Sequence, residues 1–251
     1  MKLFLLWFLT IVSGVAADVT RIPTIVLISG EYEYQSTNTF PAFKRYLESN
    51  HNFRCVYLER KAEEIPGLEA LDTADLAILF ARRMTPPEEQ LNKIKSFLDS
   101  GKPLIGLRTA SHAFENWKEF DHEVFGGNYH NHYGNDLIAT ARVAPEAQNH
   151  PILRLVPKEF QAGGSLYRTA PLAKDTTLLM TGSITNQMPE PMAWTHQYKR
   201  SRIFYTSLGH PKDFDQPGFR QLLVNAIYWA LEMPPQSPKA DLAERKSATN
   251  R

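Results

Sequence analysis

The chain has 251 residues, 43% of them hydrophobic and 22% charged, an ordinary globular composition long enough to bury a sizeable core. A formal net charge of +1, with no long run of one sign, gives no field that would draw nucleic acid or an anionic membrane surface. One cysteine, Cys55, rules out an internal disulfide and a zinc–thiolate cluster, so the fold must stand on its hydrophobic core.

Residues 1–17 read as a signal peptide. Lys2 precedes the apolar run LFLLWFLTIV, which is too short to cross a bilayer of roughly 30 Å as a helix, and SGVAA supplies small residues for cleavage after Ala17. The alternative is an uncleaved signal anchor. The expectation is an exported protein, periplasmic or extracellular, with no stable membrane insertion once the signal is removed. The continuously apolar IPTIVLIS then predicts a strand buried on both faces, followed by the loop GEYEYQSTN. TFPAFKRYLESN sets Phe40, Phe43 and Leu47 at helical spacing. FRCVYLE predicts a second strand with Cys55 buried and inert, IPGLEALDT a short helix or turn, and ADLAILFA a third strand.

In TPPEEQLNKIKSFLDSG, Thr85 as N-cap, Pro86 at N1 and Glu88 at N3 predict a capping box. Leu91, Ile94, Phe97 and Leu98 form one stripe, and Gly101 ends the helix. KPLIGLR is a fourth strand running into TASHAF. Strands alternating with helices predict an α/β fold with a mainly parallel sheet between helical layers and ligands at the carboxyl ends of the strands. The loops GEYEYQ, ARRMTP and RTASHAF are therefore the ones to watch. Further on, NDLIATARVA and TTLLMTG read as strands, MAWTHQY and RIFYTSL as a hairpin joined by KRS, and PGFRQLLVNAIYWALE as an amphipathic helix. The tail 233–251, Pro-rich and then polar, is expected to be disordered. No repeat or linker divides 18–232.

Four constellations carry chemistry. In GLRTASHAF, Arg108 stands where a strand-to-helix elbow presents its apical side chain. Arginine is no nucleophile, so it either holds an anion or hydroxyl or forms an ion pair beneath the loop. Ser111 has no G-x-S-x-G around it. His112, expected to start the following helix, suits proton transfer near neutral pH or purely local hydrogen bonding. GGNYHNHYGND, residues 126–136, holds the densest histidine pair of a chain with eight histidines. As a strand it would place His130 and His132 on one face, fit for a metal; its flanking glycines favour a loop. A mononuclear zinc site also needs a third ligand, which His112, His210 or Asp136 could supply, though no HExxH-like spacing fixes it. A metal site, a polar sugar or acid–base site and a structural loop all remain open. Glu33 and Tyr34 follow the first strand, a carboxylate beside a ring as sugar sites use. His210 follows a later strand end within GHP, either in the site or as turn chemistry.

Taken in order, IVLISGEYEY, ADLAILF, GKPLIGLRTASHAF, FGGNYHNH, NHPI and PMAWTHQYKRSRIFYTSLGH resemble the ThuA-like (trehalose utilisation) family across roughly residues 22–232. The resemblance implies a flavodoxin-like three-layer sandwich similar to class I glutamine amidotransferases. It does not carry amidotransferase chemistry, because Arg108 occupies the elbow where those enzymes have cysteine. Many ThuA-like proteins have histidine there, and Arg108 replaces that too. The family's glycine–aromatic–histidine pattern maps onto Gly126, Gly127, Tyr129 and His132, leaving His130 extra, and its strand-end Gly-His maps onto Gly209 and His210. GGSLY stands where many members have an acidic pair before tyrosine. The family implies carbohydrate use, its reaction being poorly defined.

The expectation is thus a small-molecule carbohydrate as partner, a sugar or keto sugar handled by hydrolysis, lyase chemistry or isomerisation. His112 and His132 would transfer protons and Arg108 would hold an oxyanion or hydroxyl. Glu33, Tyr34, His130 and His210 would line the pocket. The alternatives are a non-catalytic carbohydrate-binding protein and a metal-dependent hydrolase using His130 and His132. The sequence assigns no cofactor, metal or oligomeric state.

Overall fold

The computed structural model describes residues 21–236. The predicted signal peptide, and the predicted disordered tail from residue 237 onward, lie outside the described residues. In chain order the elements are β1 (Thr24–Gly30), α1 (Ser36–Asn50), β2 (Arg54–Glu59), β3 (Leu76–Ala81), α2 (Glu88–Asp99), β4 (Leu104–Leu107), β5 (Asn131–His132), β6 (Thr140–Val143), β7 (Glu159–Gln161), β8 (Tyr167–Arg168), β9 (Thr177–Ser183), β10 (Glu190–Tyr198), β11 (Ser201–Thr206), α3 (Pro211–Phe214) and α4 (Pro217–Ala230). Nine strands form one sheet in the order β2-β1-β3-β4-β11-β10-β9-β6-β7.

The first five of that order pair in parallel, the 2-1-3-4-5 arrangement of a flavodoxin-like sheet with β11 as its fifth strand. From β10 onward the pairings are antiparallel. The expected α/β sandwich is therefore the fold, parallel in its core and extended on one side.

The apolar runs explain the three layers. Residues alternate across a strand, so Ile25 and Leu27 of β1 join the buried cluster with Phe40 and Leu47 of α1 and Phe219 and Ile227 of α4. Val26 and Ile28 join the opposite cluster with Leu91, Ile94 and Leu98 of α2. Cys55 is 5% exposed; burial first, then Glu48, pushes its thiol up to about 12, which leaves it protonated and inert. Among the described residues no helix is long and apolar enough to cross a membrane.

Two expected starts move. The predicted capping box at Thr85 is absent: α2 begins at Glu88 behind an extended Pro87, and no side chain caps it. The tandem prolines account for this, since a residue before proline is driven out of the helical region. Glu88 and Glu89 instead place acids in the first turn, where they complement the helix dipole. His112 does not begin a helix but ends a 3-10 turn, Arg108–His112. The next helical segment is a single wide turn, Asp121–Phe125. That turn presses on β4 so closely that a Cβ on Gly106 would lie 2.3 Å from the Phe125 ring.

Candidate functional site

Four neighbouring strands deliver their carboxyl-end loops to one edge of the sheet. β1 delivers Glu31–Tyr34, β3 delivers Arg82 and Arg83, β4 delivers Arg108–His112, and β11 delivers Ser207–His210. A fifth wall comes from GGNYHNHYGND. This segment is neither a free loop nor a full strand: Asn131 and His132 pair antiparallel with Arg168 and Tyr167. Backbone bonds from His130 N to Arg168 O (3.2 Å) and Tyr133 N to Leu166 O (2.9 Å) extend the ribbon. The end of GGSLY, which carries no acid, supplies part of the partner strand: Leu166 and Tyr167 pair with Tyr133 and His132.

The enclosed cleft measures about 160 Å³. Glu33, Tyr34, Arg82, Arg83 and His112 line it from the strand-end side, and Tyr129, His130, Asn131, His132 and Tyr167 from the opposite wall. Arg108 and His210 do not line it. Both lie beneath or beside it, Arg108 against Tyr34 and Tyr167 and His210 against Tyr34.

Arg108 adopts the left-handed conformation of an elbow, φ 45°, but its side chain turns inward and is 2% exposed. It lies 4.2 Å from the ring centroid of Tyr34 and 4.6 Å from that of Tyr167. Its guanidinium donates to Ser207 O (2.8 Å), Tyr34 Oη (3.2 Å) and both Ser165 oxygens (3.1 and 3.3 Å). Burial works against its charge, but Tyr167, Tyr34 and Asp213 together hold its pKa above the ordinary value. A Cβ on Gly164 would meet this guanidinium at 2.6 Å, which gives the glycine of GGSLY a packing reason.

His210 caps α3. Its Nδ1 accepts from Lys212 N at 3.2 Å, and Asp213 closes a capping box. Its ring meets Tyr34 edge-on at 6.0 Å. Asp213 is fully buried and accepts from Gly163 N (2.6 Å), Gly209 N (2.9 Å) and His210 N (2.9 Å), so one carboxylate ties the β11 loop to the segment before β8.

The two histidines read as proton-transfer groups differ sharply. His112 stacks on Tyr129 at 4.4 Å and 16° and lies 6.2 Å from Tyr167. Burial above all, then Arg83, Arg82, Arg108 and His132, pulls its pKa down to about 3, so its imidazole is neutral across the physiological range. His132 is exposed, 6.4 Å from the same Tyr167 ring. Its Nδ1 lies 2.7 Å from Tyr133 O, and His130 Nδ1 lies 2.9 Å from Asn128 O. A carbonyl oxygen only accepts, so each Nδ1 carries the proton and each Nε2 is the free ring nitrogen.

Glu33 lines the cleft, paired with Arg82 at 3.2 Å. Its neighbour Glu31, passed over in the sequence, is the buried acid: it accepts from Glu33 N (2.5 Å) and Tyr34 N (3.3 Å) and closes the turn after β1. Asp121 was also missed. It accepts from Tyr129 N at 2.7 Å, which seats the ring that stacks on His112. Burial raises its pKa to about 7 against that one hydrogen bond. Arg82 and Arg83 did leave a signal in the sequence, the loop ARRMTP at a strand's carboxyl end. Among the described residues no group of three or more His, Cys, Asp or Glu side chains is placed to hold a metal ion.

Comparison with known proteins agrees with this architecture. A ThuA-like protein from Bacteroides uniformis ATCC 8492 superposes with a TM-score of 0.67 at 18% identity, covering 86% of this chain and 95% of that one. One from Parabacteroides merdae ATCC 43184 gives 0.67 at 17% identity, covering 86% and 93%. A β-galactosidase from Bacillus circulans sp. alkalophilus gives 0.59 at 12% identity, covering 85% of this chain but 32% of that one. Identities this low speak for the fold alone. No curated protein matches the sequence. The ThuA family model, described as trehalose utilisation, matches residues 24–230, and the chain belongs to that family.

Proposed function

We propose that the cleft acts on a sugar or keto sugar by acid–base chemistry. The observation that carries this reading is the pairing of two unlike histidines on one small cleft: His132, with Nε2 as its free ring nitrogen, and His112, held neutral beside Tyr129 and Tyr167. His132 takes or returns the proton on substrate carbon or oxygen. A neutral imidazole at His112 stays un-ionised while hydrogen-bonding developing charge, a role that does not require it to gain a proton. Tyr34 and Tyr129, both half-buried, offer ring surface to the C–H groups of a sugar, and the buried Tyr167 backs them. Arg108 is a positioning residue, since it holds Tyr34 and Tyr167 and is 2% exposed.

The test is turnover of a panel of mono- and disaccharides and their keto forms. His132→Ala is expected to lose about 10²–10⁴-fold in kcat/KM, the usual worth of one general base, with its fold intact. Binding without conversion by the native protein would replace this reading with a non-catalytic carbohydrate-binding one. A metal-dependent hydrolase has one observation in its favour: both His130 and His132 anchor Nδ1 on a carbonyl, as metal-bound imidazoles do. Stoichiometric zinc, iron or manganese in the purified protein would establish it. We also propose export on the strength of residues 1–17, which N-terminal sequencing of the mature protein tests by starting at Asp18.

A further inference from the structure

The charges around the cleft do not balance. Arg82 has an acidic partner, Glu33, 3.2 Å away. Arg108 is enclosed below, and its two terminal nitrogens make four hydrogen bonds. Arg83 lines the cleft and is exposed. Its side chain makes no hydrogen bond, ion pair or ring contact among the described residues.

An exposed arginine is ordinary on a solvated surface; this one is set in place by backbone. Arg83 has φ 45°, and its N–H donates to His112 O at 2.9 Å. Met84 N donates to Ala113 O at 2.7 Å, and Glu115 N to Met84 O at 2.8 Å. Three bonds thus seam the loop after β3 to the loop after β4 and fix the guanidinium's root beside the His112 ring. Its field reaches the cleft walls. After burial, Arg83 is the largest influence on both His112 and Tyr129; Arg82 and Arg108 act in the same direction on both, while His132 adds to them at His112 and Tyr34 opposes them at Tyr129.

A ligand filling about 160 Å³ must cover part of this guanidinium. A neutral ligand would strip water from a cation and return no counter-charge, which is unfavourable. An oxyanion offsets that cost with charge-assisted hydrogen bonds, to which the planar guanidinium is suited. The volume is also below the ~300 Å³ at which drug-sized pockets begin, which favours one small acid over an extended chain.

We propose that the cleft selects an acidic sugar, one bearing a carboxylate or phosphate, and that Arg83 is the residue that recognises the oxyanion. Arg82, shared with Glu33, is the second cation within reach. The word sugar rests on the reading given under Proposed function; the oxyanion rests on the unpartnered cation alone.

Calorimetric titration of the full chain at low salt separates the two. The probes are glucose, glucuronate, glucose 6-phosphate, and the sugar-free anions acetate and inorganic phosphate, each against native protein, Arg83→Gln and Arg83→Lys. At least one acidic sugar should bind about tenfold or more tighter than glucose, the scale of one charge-assisted contact. Arg83→Gln should reduce that preference to within about threefold and Arg83→Lys should keep part of it, with unchanged melting temperatures, as suits an exposed side chain. Glucuronate against glucose 6-phosphate tells carboxylate from phosphate. If acetate or phosphate binds as well as the acidic sugars, and only through Arg83, the oxyanion site stands and the sugar reading falls. If neutral sugars bind or turn over with no preference for acids, the sugar reading stands and this inference is overturned. Retention of the preference in Arg83→Gln, or no binding of any acid, also overturns it.

Discussion

Beneath the cleft, Arg108, Asp213 and Glu31 are 2%, 0% and 1% exposed, and the hydrogen bonds they make go to backbone groups, Tyr34 and Ser165. At its mouth, Arg83, Glu33, His130 and His132 are exposed, and only Glu33 has a charged partner. The floor and the mouth carry the same residue types to different ends. The floor holds loops from distant parts of the chain against one another; the mouth is left with atoms free to meet a ligand. Loss of a floor group should therefore appear first as loss of stability, and loss of a mouth group as loss of binding or turnover.

The largest effect expected from breaking this contrast is at Asp213. Asp213→Ala removes the acceptor for three buried or half-buried N–H groups. It should cost about 3–5 kcal/mol, since three N–H groups lose their acceptor at roughly 1–3 kcal/mol each, read as a lower urea midpoint. A loss under about 1 kcal/mol would dissolve the distinction between floor and mouth.

A smaller effect concerns pH, with two opposing slopes. Asp121 has a folded pKa raised from 3.8 to about 7, so between those values the native state holds more protons than the unfolded chain and stability falls as pH rises. His112 has its folded pKa depressed from 6.5 to about 3, so between those values the unfolded chain holds more protons and stability rises with pH. The two partly cancel in the native protein from about pH 4 to 6.5. Asp121→Asn should expose the rise and His112→Gln the fall, measured as denaturation midpoint against pH. Smallest of all, His132→Ala should move stability by no more than about 0.5 kcal/mol, as exposed substitutions do, however much it costs in turnover.

The parallel half of the sheet was legible because its signal is local. IPTIVLIS and ADLAILFA are continuously apolar, and a strand buried on both faces has few other ways to read. The β10–β11 hairpin and the strands β6 and β9 were legible too, but β5, β7 and β8 are segments of two or three residues whose pairing depends on chain outside themselves. Nothing within GGNYHNHYGND shows that His132 will lie opposite Tyr167, or that GGSLY exists to receive it. The same division runs through the site. His112, His132, Glu33 and Tyr34 were visible as polar residues in loops at strand ends, and all four line the cleft. Arg108 and His210 were visible for the same reason, yet one turns inward and the other caps α3, since loop position does not dictate side-chain direction. Asp121 and Asp213 matter through the backbone groups they accept from, and those partners are set only when the loops have come together.

The seam between Arg83–Met84 and His112–Glu115 has a kinetic meaning as well. Two loops joined by three backbone bonds move as one body, so their relative position is decided when the protein folds. A ligand that docks on the arginine then meets the imidazole at a fixed separation and bearing, without waiting for either loop to close over it.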